Sequence, residues 1–181
     1  MAKIKGTNKY SIVEIALPVN LNVQVQNNVM PVSMETLENG TFVSKDVKTG
    51  ELGLPVAGKP CYLVASDVTL YEKKDGIGDF VNKRDSYMPR IIGLDKASGT
   101  YLRFSDVECA EVGLDTFAKI EAYLATPANK LYAHADIATG NAKLVKALPV
   151  DLTTIPTGFI AEVTEVCTMR NGEDGIEVYI D

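Results

Sequence analysis

The stretch "GFIAEVTEVCTM" (residues 158–169), with "RNGEDG" (170–175) and "IEVYI" (176–180) behind it, decides the fold. Phe159, Ala161 and Val163 fall on one parity, and Ile176, Val178 and Ile180 do the same after the turn. Period-two alternation marks a strand with one buried face. Asn171-Gly172 lies between the two runs, and a tight hairpin turn needs residues that tolerate positive φ. The C-terminus therefore reads as a β-hairpin with Phe159, Ala161 and Val163 directed inward.

The same grammar extends toward the N-terminus. "METLENGTFVSKD" carries Asn39-Gly40 between alternating flanks and predicts a second hairpin. "VKTGELGLPVAGKP" (47–60) reads as loop, and "CYLVASDVTLY" (61–71) as a strand. "EKKDGIGDFVNKRDS" (72–86) is a charged connection, and "MPRIIGL" (88–94) with "TYLRFS" (100–105) around "DKASG" predicts another hairpin. Residues 115–130 fit two templates. Ala118, Ile120, Ala122 and Leu124 alternate as in a strand, the reading adopted here; a helix capped by Asp115, with Phe117, Ile120 and Leu124 inward, is the alternative. Ten or so short strands predict a mainly β protein: one or two small antiparallel sandwiches or barrels built from hairpins, with an N-terminal strand or arm. The expected division is an arm or edge strand over 1–31, a β-domain over 32–108 and a C-terminal β-domain over 109–181. No internal repeat stands out.

Composition narrows the function. The chain has 181 residues, 46% of them hydrophobic and 23% charged, as in a globular protein. No apolar run reaches the roughly 20 residues of a membrane helix, and "MAKIKGTNKYS" lacks the apolar core of a signal peptide. Residues 91–181 hold 7 basic and 14 acidic groups, a balance opposed to nucleic-acid binding. Cys61, Cys109 and Cys167 sit apart in apolar contexts and read as small core residues. With His134 the only histidine, a zinc site of ordinary spacing is excluded.

Motifs for chemistry are weak. "GLPVAGKP" (53–60) follows the phosphate-loop pattern until Pro60 replaces the magnesium-binding hydroxyl. Asp75, Asp79 and Asp85 lack the ligand order of a calcium loop. His134 has no nucleophile or orienting group assigned by pattern and reads as a bystander. Glu162 and Glu165, like Glu108 and Glu111, have the wrong parity to share a strand face. No enzyme and no cofactor is expected.

What remains is surface. "LPVNLNVQVQNNV" (17–29) alternates apolar residues with Asn20, Asn22, Gln24, Gln26 and Asn28. Uncharged amides can be covered by a partner at lower desolvation cost than Lys or Glu, provided their hydrogen bonds are remade. Two readings stand: a strand inside its own sheet, or an arm adding to a neighbouring subunit with those five amides at the contact.

"LENGTFVSKD" (37–46), "PCYLVASDVTLYE" (60–72), "DFVNKRDSYMPRIIGL" (79–94) and "TYLRFS" (100–105) together resemble small accessory virion proteins of tailed bacteriophages, of the head-decoration or capsid-auxiliary type. The resemblance covers residues 30–105 and rests on turn chemistry and strand patterning. It implies a virion structural protein, assembled in the host cytoplasm, that acts by contact with the major capsid protein or other virion proteins and forms a homo-oligomer. It transfers no catalytic residue. A receptor- or glycan-binding β-module of a tail or baseplate, with its ligand on the loops at 72–86 or 95–99, is the alternative.

Overall fold

The computed structural model describes residues 3–4, 13–17, 36–65, 81–83, 91–94, 99–170 and 172–180, with backbone alone at 15–17, 36 and 81–83. The chain is mainly β. Its strands are β1 (Lys3–Ile4), β2 (Val13–Leu17), β3 (Thr36–Glu38), β4 (Phe42–Lys45), β5 (Leu52–Gly53), β6 (Tyr62–Val64) and β7 (Val81–Lys83). They continue with β8 (Ile91–Gly93), β9 (Thr100–Phe104), β10 (Val107–Glu108), β11 (Tyr132–Ala135), β12 (Ala142–Val145), β13 (Ile160–Thr168) and β14 (Asp174–Ile180). One helix, α1 (Phe117–Leu124), and a short 3-10 turn at Leu152–Thr154 complete the described elements.

The terminal hairpin forms as its alternation requires. β13 and β14 pair antiparallel from Ala161↔Ile180 to Thr168↔Asp174. Phe159, Ala161, Val163, Ile176, Val178 and Ile180 are all buried in one core. This hairpin is the middle of an eight-stranded sheet of order β1-β10-β12-β11-β13-β14-β9-β2. Every pairing in it is antiparallel except β10 with β12, so the sheet is mixed. It is also strongly coiled. β9 and β10 lie five places apart, about 24 Å in a flat sheet at ~4.8 Å per strand. Yet only Ser105 and Asp106 join them, a link of at most ~11 Å. The concave side therefore wraps its own core.

A four-stranded antiparallel sheet, β5-β4-β6-β8, covers that core in a sandwich-like packing. Phe42, Leu63 and Ile92 align across β4, β6 and β8 and join the main cluster. Phe42 stacks on Phe159 at 4.4 Å between ring centroids and meets Phe104 at 5.9 Å. The opposite face of the same sheet buries Val43, Val64 and Ile91 with Leu37 of β3. Both faces are dry, so these strands read as unbroken apolar pairs and triplets, "FV", "YLV" and "II".

The two sheets contain the same unit twice, contrary to the sequence reading. β4 lies between β5 and β6, with β8 beyond β6; β11 lies between β12 and β13, with β14 beyond β13. Ser44↔Gly53 and Lys45↔Leu52 in the first unit correspond to His134↔Lys143 and Ala135↔Ala142 in the second. Each opening hairpin turns on Asp-x-x-Thr-Gly, at Asp46–Gly50 and Asp136–Gly140. In both, the Asp N–H donates to the carbonyl five residues on, at 2.8 and 2.9 Å, and the Gly N–H donates to the Asp carbonyl at the same two distances. The Asp carboxylate accepts from the Thr backbone N–H at 3.1 Å in each. Gly50 and Gly140 both have φ +73°, a conformation that glycine adopts without cost. A related Asp-x-x-Ser-Gly stands in sequence at Asp95–Gly99, of which only Gly99 lies within the described residues.

Three expectations are corrected. Asn39-Gly40 does turn the chain, with the Thr41 N–H on the Glu38 carbonyl at 3.3 Å and Gly40 at φ 85°. But β3 pairs with β7, and β4 with β5 and β6, so no hairpin forms there. The Gly40 N–H donates instead to Val64 of β6. Likewise β8 and β9 do not pair with each other: β8 ends the four-stranded sheet and β9 joins β14 and β2. Residues 117–124 are a helix, not a strand. Thr116 caps it by accepting from the Lys119 N–H at 3.2 Å, while Asp115 pairs with the Lys119 amine one turn on. Ile120 is its fully buried residue, with Phe117, Tyr123 and Leu124 packed around it. The alternating positions carry mostly Ala, Lys, Glu and Leu, which favour helix over strand.

The two N-terminal strands belong to the eight-stranded sheet. β1 pairs with β10 and β2 with β9; Ile4 is buried in the main core.

Candidate interaction face and the cleft at His134

The convex face of the large sheet is built from the residues that alternate with the core. One register row runs Tyr132, Glu162, Tyr179 and Tyr101 across β11, β13, β14 and β9. All four are half-buried, and the Tyr101 and Tyr179 rings meet at 4.9 Å between centroids. Lys130 pairs with Glu162 at the edge of this row. Tyrosines laid side by side on a sheet give large, rigid contact area with a polar tip that can bond across an interface.

A second row is ionic. Arg103 bonds Glu177 through Nε and Nη2, both at 2.9 Å, and Glu14 lies 4.0 Å from Nη1. Glu14 also accepts the Arg170 backbone N–H at 2.7 Å, tying β2 to the tip of the terminal hairpin. The Glu177 contact leads the causes that raise the Arg103 pKa.

A bulge changes the geometry beside these rows. The β13–β14 register shifts between Val163 and Glu165, so Glu162 pairs with Tyr179 and Glu165 with Glu177. The extra residue puts Glu162 and Glu165 on the same face, against the parity expectation. Thr164 fills the bulge and donates toward the Glu177 carbonyl at 3.2 Å.

His134 lies on β11 between Ala133 and Ala135, which both enter the core, so its ring points to the convex side. There a cleft of about 440 Å³ opens between β11, β12 and segment 146–155, lined by His134, Asp136, Lys143, Lys146, Pro149 and Ile155, among others. His134 is only 6% exposed, so of the two bystander readings, exposed or hydrogen-bonded, its place fits the second. Its Nδ1 contacts the Ala135 carbonyl at 2.9 Å; with Nδ1 as donor, Nε2 carries the lone pair. Lys143 reaches Glu111 at 2.5 Å and Asp136 at 3.9 Å. Lys146 sits 5.3 Å from the centre of the Tyr123 ring, a cation–π distance.

Cys61 and Cys109 are core residues, whereas Cys167 shares the face of Glu165 and Glu177, out of phase with Val166 and Ile176, which pack in the core. Cys61 and Cys109 are buried and Cys167 is half-buried, all as free thiols. Burial pushes the Cys61 thiol up to about 12 and is the leading cause of the upward shifts at Cys109 and Cys167. A thiol held protonated is a poor nucleophile. Among the described residues, no group of three or more His, Cys, Asp or Glu is placed to hold a metal ion. None of their helices is long and apolar enough to cross a membrane.

Asn20, Asn22, Gln24, Gln26 and Asn28, the expected partner contacts, lie outside the described residues, as do Asp75, Asp79 and Asp85. The tyrosine row was not anticipated from sequence, although each of its tyrosines sits one place out of phase with the inward set. Comparison with protein-family models, curated proteins and solved structures found no match to this chain.

Proposed function

We propose that this chain is a structural protein of a tailed-bacteriophage particle: a head-associated accessory component that decorates or stabilises the capsid through protein–protein contact. The observation that carries this reading is the half-buried row of Tyr132, Glu162, Tyr179 and Tyr101 across β11, β13, β14 and β9. Such a surface gains affinity by covering area rather than by reacting. The resemblance of residues 30–105 to capsid-auxiliary proteins supplies the kind of partner.

In this reading the amide-bearing segment 17–29 serves as an arm toward a neighbouring copy or the capsid protein. Replacing Asn22, Gln24 and Gln26 together with Glu leaves the fold intact and weakens assembly, because each carboxylate must be desolvated on contact. The primary test is detection of the chain in purified particles of the phage that encodes it, followed by rebinding to stripped capsids. The chain is expected in the particle at a fixed ratio to the capsid protein. Its absence from particles, or rebinding unaffected by both the triple Glu variant and Tyr179→Lys, contradicts the proposal.

A further inference from the structure

The two units differ at one place that packing alone does not explain. In the first, the Ser44 hydroxyl donates to the Leu54 carbonyl at 2.7 Å, so the returning chain lies directly on β4. The register equivalents of Ser44 and Gly53 in the second unit are His134 and Lys143. The segment returning from there is nine residues longer: Gly53 to Tyr62 in one case, Lys143 to Ala161 in the other. It stands off the sheet, and the cleft opens beneath it. Where the strand was sealed, an imidazole and an ammonium now line a space within the ~300–1,000 Å³ range of small-ligand pockets.

From this divergence we infer that the cleft is a binding site for a small carboxylate carrying a branched aliphatic body. The charges fix the sign. Lys143 is shared by Glu111 and Asp136, and Asp136 is further held by the Thr139 hydroxyl at 2.9 Å. That leaves the Lys146 ammonium, above the Tyr123 ring, as the cation able to turn to a ligand, while the His134 Nε2 lone pair only lines the space; an ammonium selects an anion. Ile137, Val145, Ala147, Pro149 and Ile155 form the apolar wall that takes the body of the molecule. The site stands apart from the virion reading, since neither Tyr132 nor Tyr179 contributes to it. Two sources share the chemistry: a free short-chain acid, or the C-terminal carboxylate of a peptide ending in Leu.

His134 is the only histidine, so its ring signals in an NMR spectrum of the full chain report the cleft without assignment. Isovalerate represents the free acid, N-acetyl-glycyl-leucine the peptide end, and isovaleramide the uncharged control. Saturable shifts of the His134 signals by either acid are expected, with the tighter probe naming the source. The amide and the Lys146→Met variant each bind about tenfold more weakly, the loss of one charge-assisted contact. No saturable shift with either acid, equal binding of isovaleramide, or unchanged affinity in Lys146→Met overturns the inference.

Discussion

A methyl group added at Gly50 would meet nothing within 4 Å, whereas one at Gly140 would meet the Phe42 carbonyl oxygen at 2.7 Å and the Thr41 methyl at 2.9 Å. Both glycines end the same Asp-x-x-Thr-Gly turn at the same φ. The first turn projects into solvent, with Val47 92% exposed. The second is seated on the other unit, where the Gly140 carbonyl accepts the Phe42 N–H at 2.6 Å. One local solution to chain reversal has thus been used once as a free corner and once as a joint. Beyond the two turns, the loops that follow also clasp: the Gly58 N–H donates to Ile155, and Cys61 and Thr157 donate to Thr157 and Lys59 respectively.

The two units differ most in stability at the aromatic centre. Phe42→Ala empties a fully buried site stacked on Phe159 and is expected to cost about 3–5 kcal/mol in urea unfolding. Its register equivalent, Tyr132, is half-exposed on the convex face, and Tyr132→Ala should cost only about 1 kcal/mol. Similar losses at the two positions would contradict the packing of unit upon unit.

The turn carboxylates differ less. Asp136 is buried and accepts from Thr139 twice, so Asp136→Ala should destabilise by about 1–3 kcal/mol. Asp46→Ala removes bonds from the Lys48 and Thr49 backbone N–H groups at an exposed corner and should shift the unfolding midpoint by clearly less.

The smallest effect is on acid stability. Backbone N–H groups of Thr49 and Lys48 hold the Asp46 carboxyl below its ordinary value, and the Thr153 hydroxyl, then its N–H, do so for Asp151. A carboxyl whose pKa is depressed by folding stabilises above its unfolded value, about 3.9, and loses that contribution as pH falls below it. The urea midpoint should therefore drop between about pH 5 and pH 3, and less so in an Asp46→Asn, Asp151→Asn double variant. An identical drop in that variant would assign the acid sensitivity to other groups.

These contrasts also show what the sequence could disclose. The terminal hairpin was legible because one face is wet and one dry, so Ala161, Val163, Ile176 and Val178 stand out by parity. The four-stranded sheet was not, because Val43 and Phe42 are both buried and parity vanishes. Asn39-Gly40 announced its turn correctly, since positive φ is a local demand; which strands pair afterwards depends on Val64, more than twenty residues on. The Thr164 bulge defeated the parity argument for Glu162 and Glu165, as one inserted residue always will. The duplication did leave a trace, with Asp-x-x-Thr-Gly and then Leu-Pro-Val at 54–56 and 148–150. It escaped notice because the intervening lengths differ. The cleft at His134 was hidden for the same reason: it is a consequence of loop length, which no residue type signals.

The second turn is a joint between two copies of one unit, and the paired variants Gly50→Ala and Gly140→Ala test that most directly. Each pays a left-handed backbone cost of about 1–2 kcal/mol, but only the second drives a methyl into the Phe42 carbonyl. Equilibrium unfolding in urea should show Gly140→Ala less stable than Gly50→Ala by at least about 2 kcal/mol, the scale of core overpacking. Equal losses in the two variants would mean that the turn at 136–140 does not seat on β4, and the two-unit architecture would fall with it.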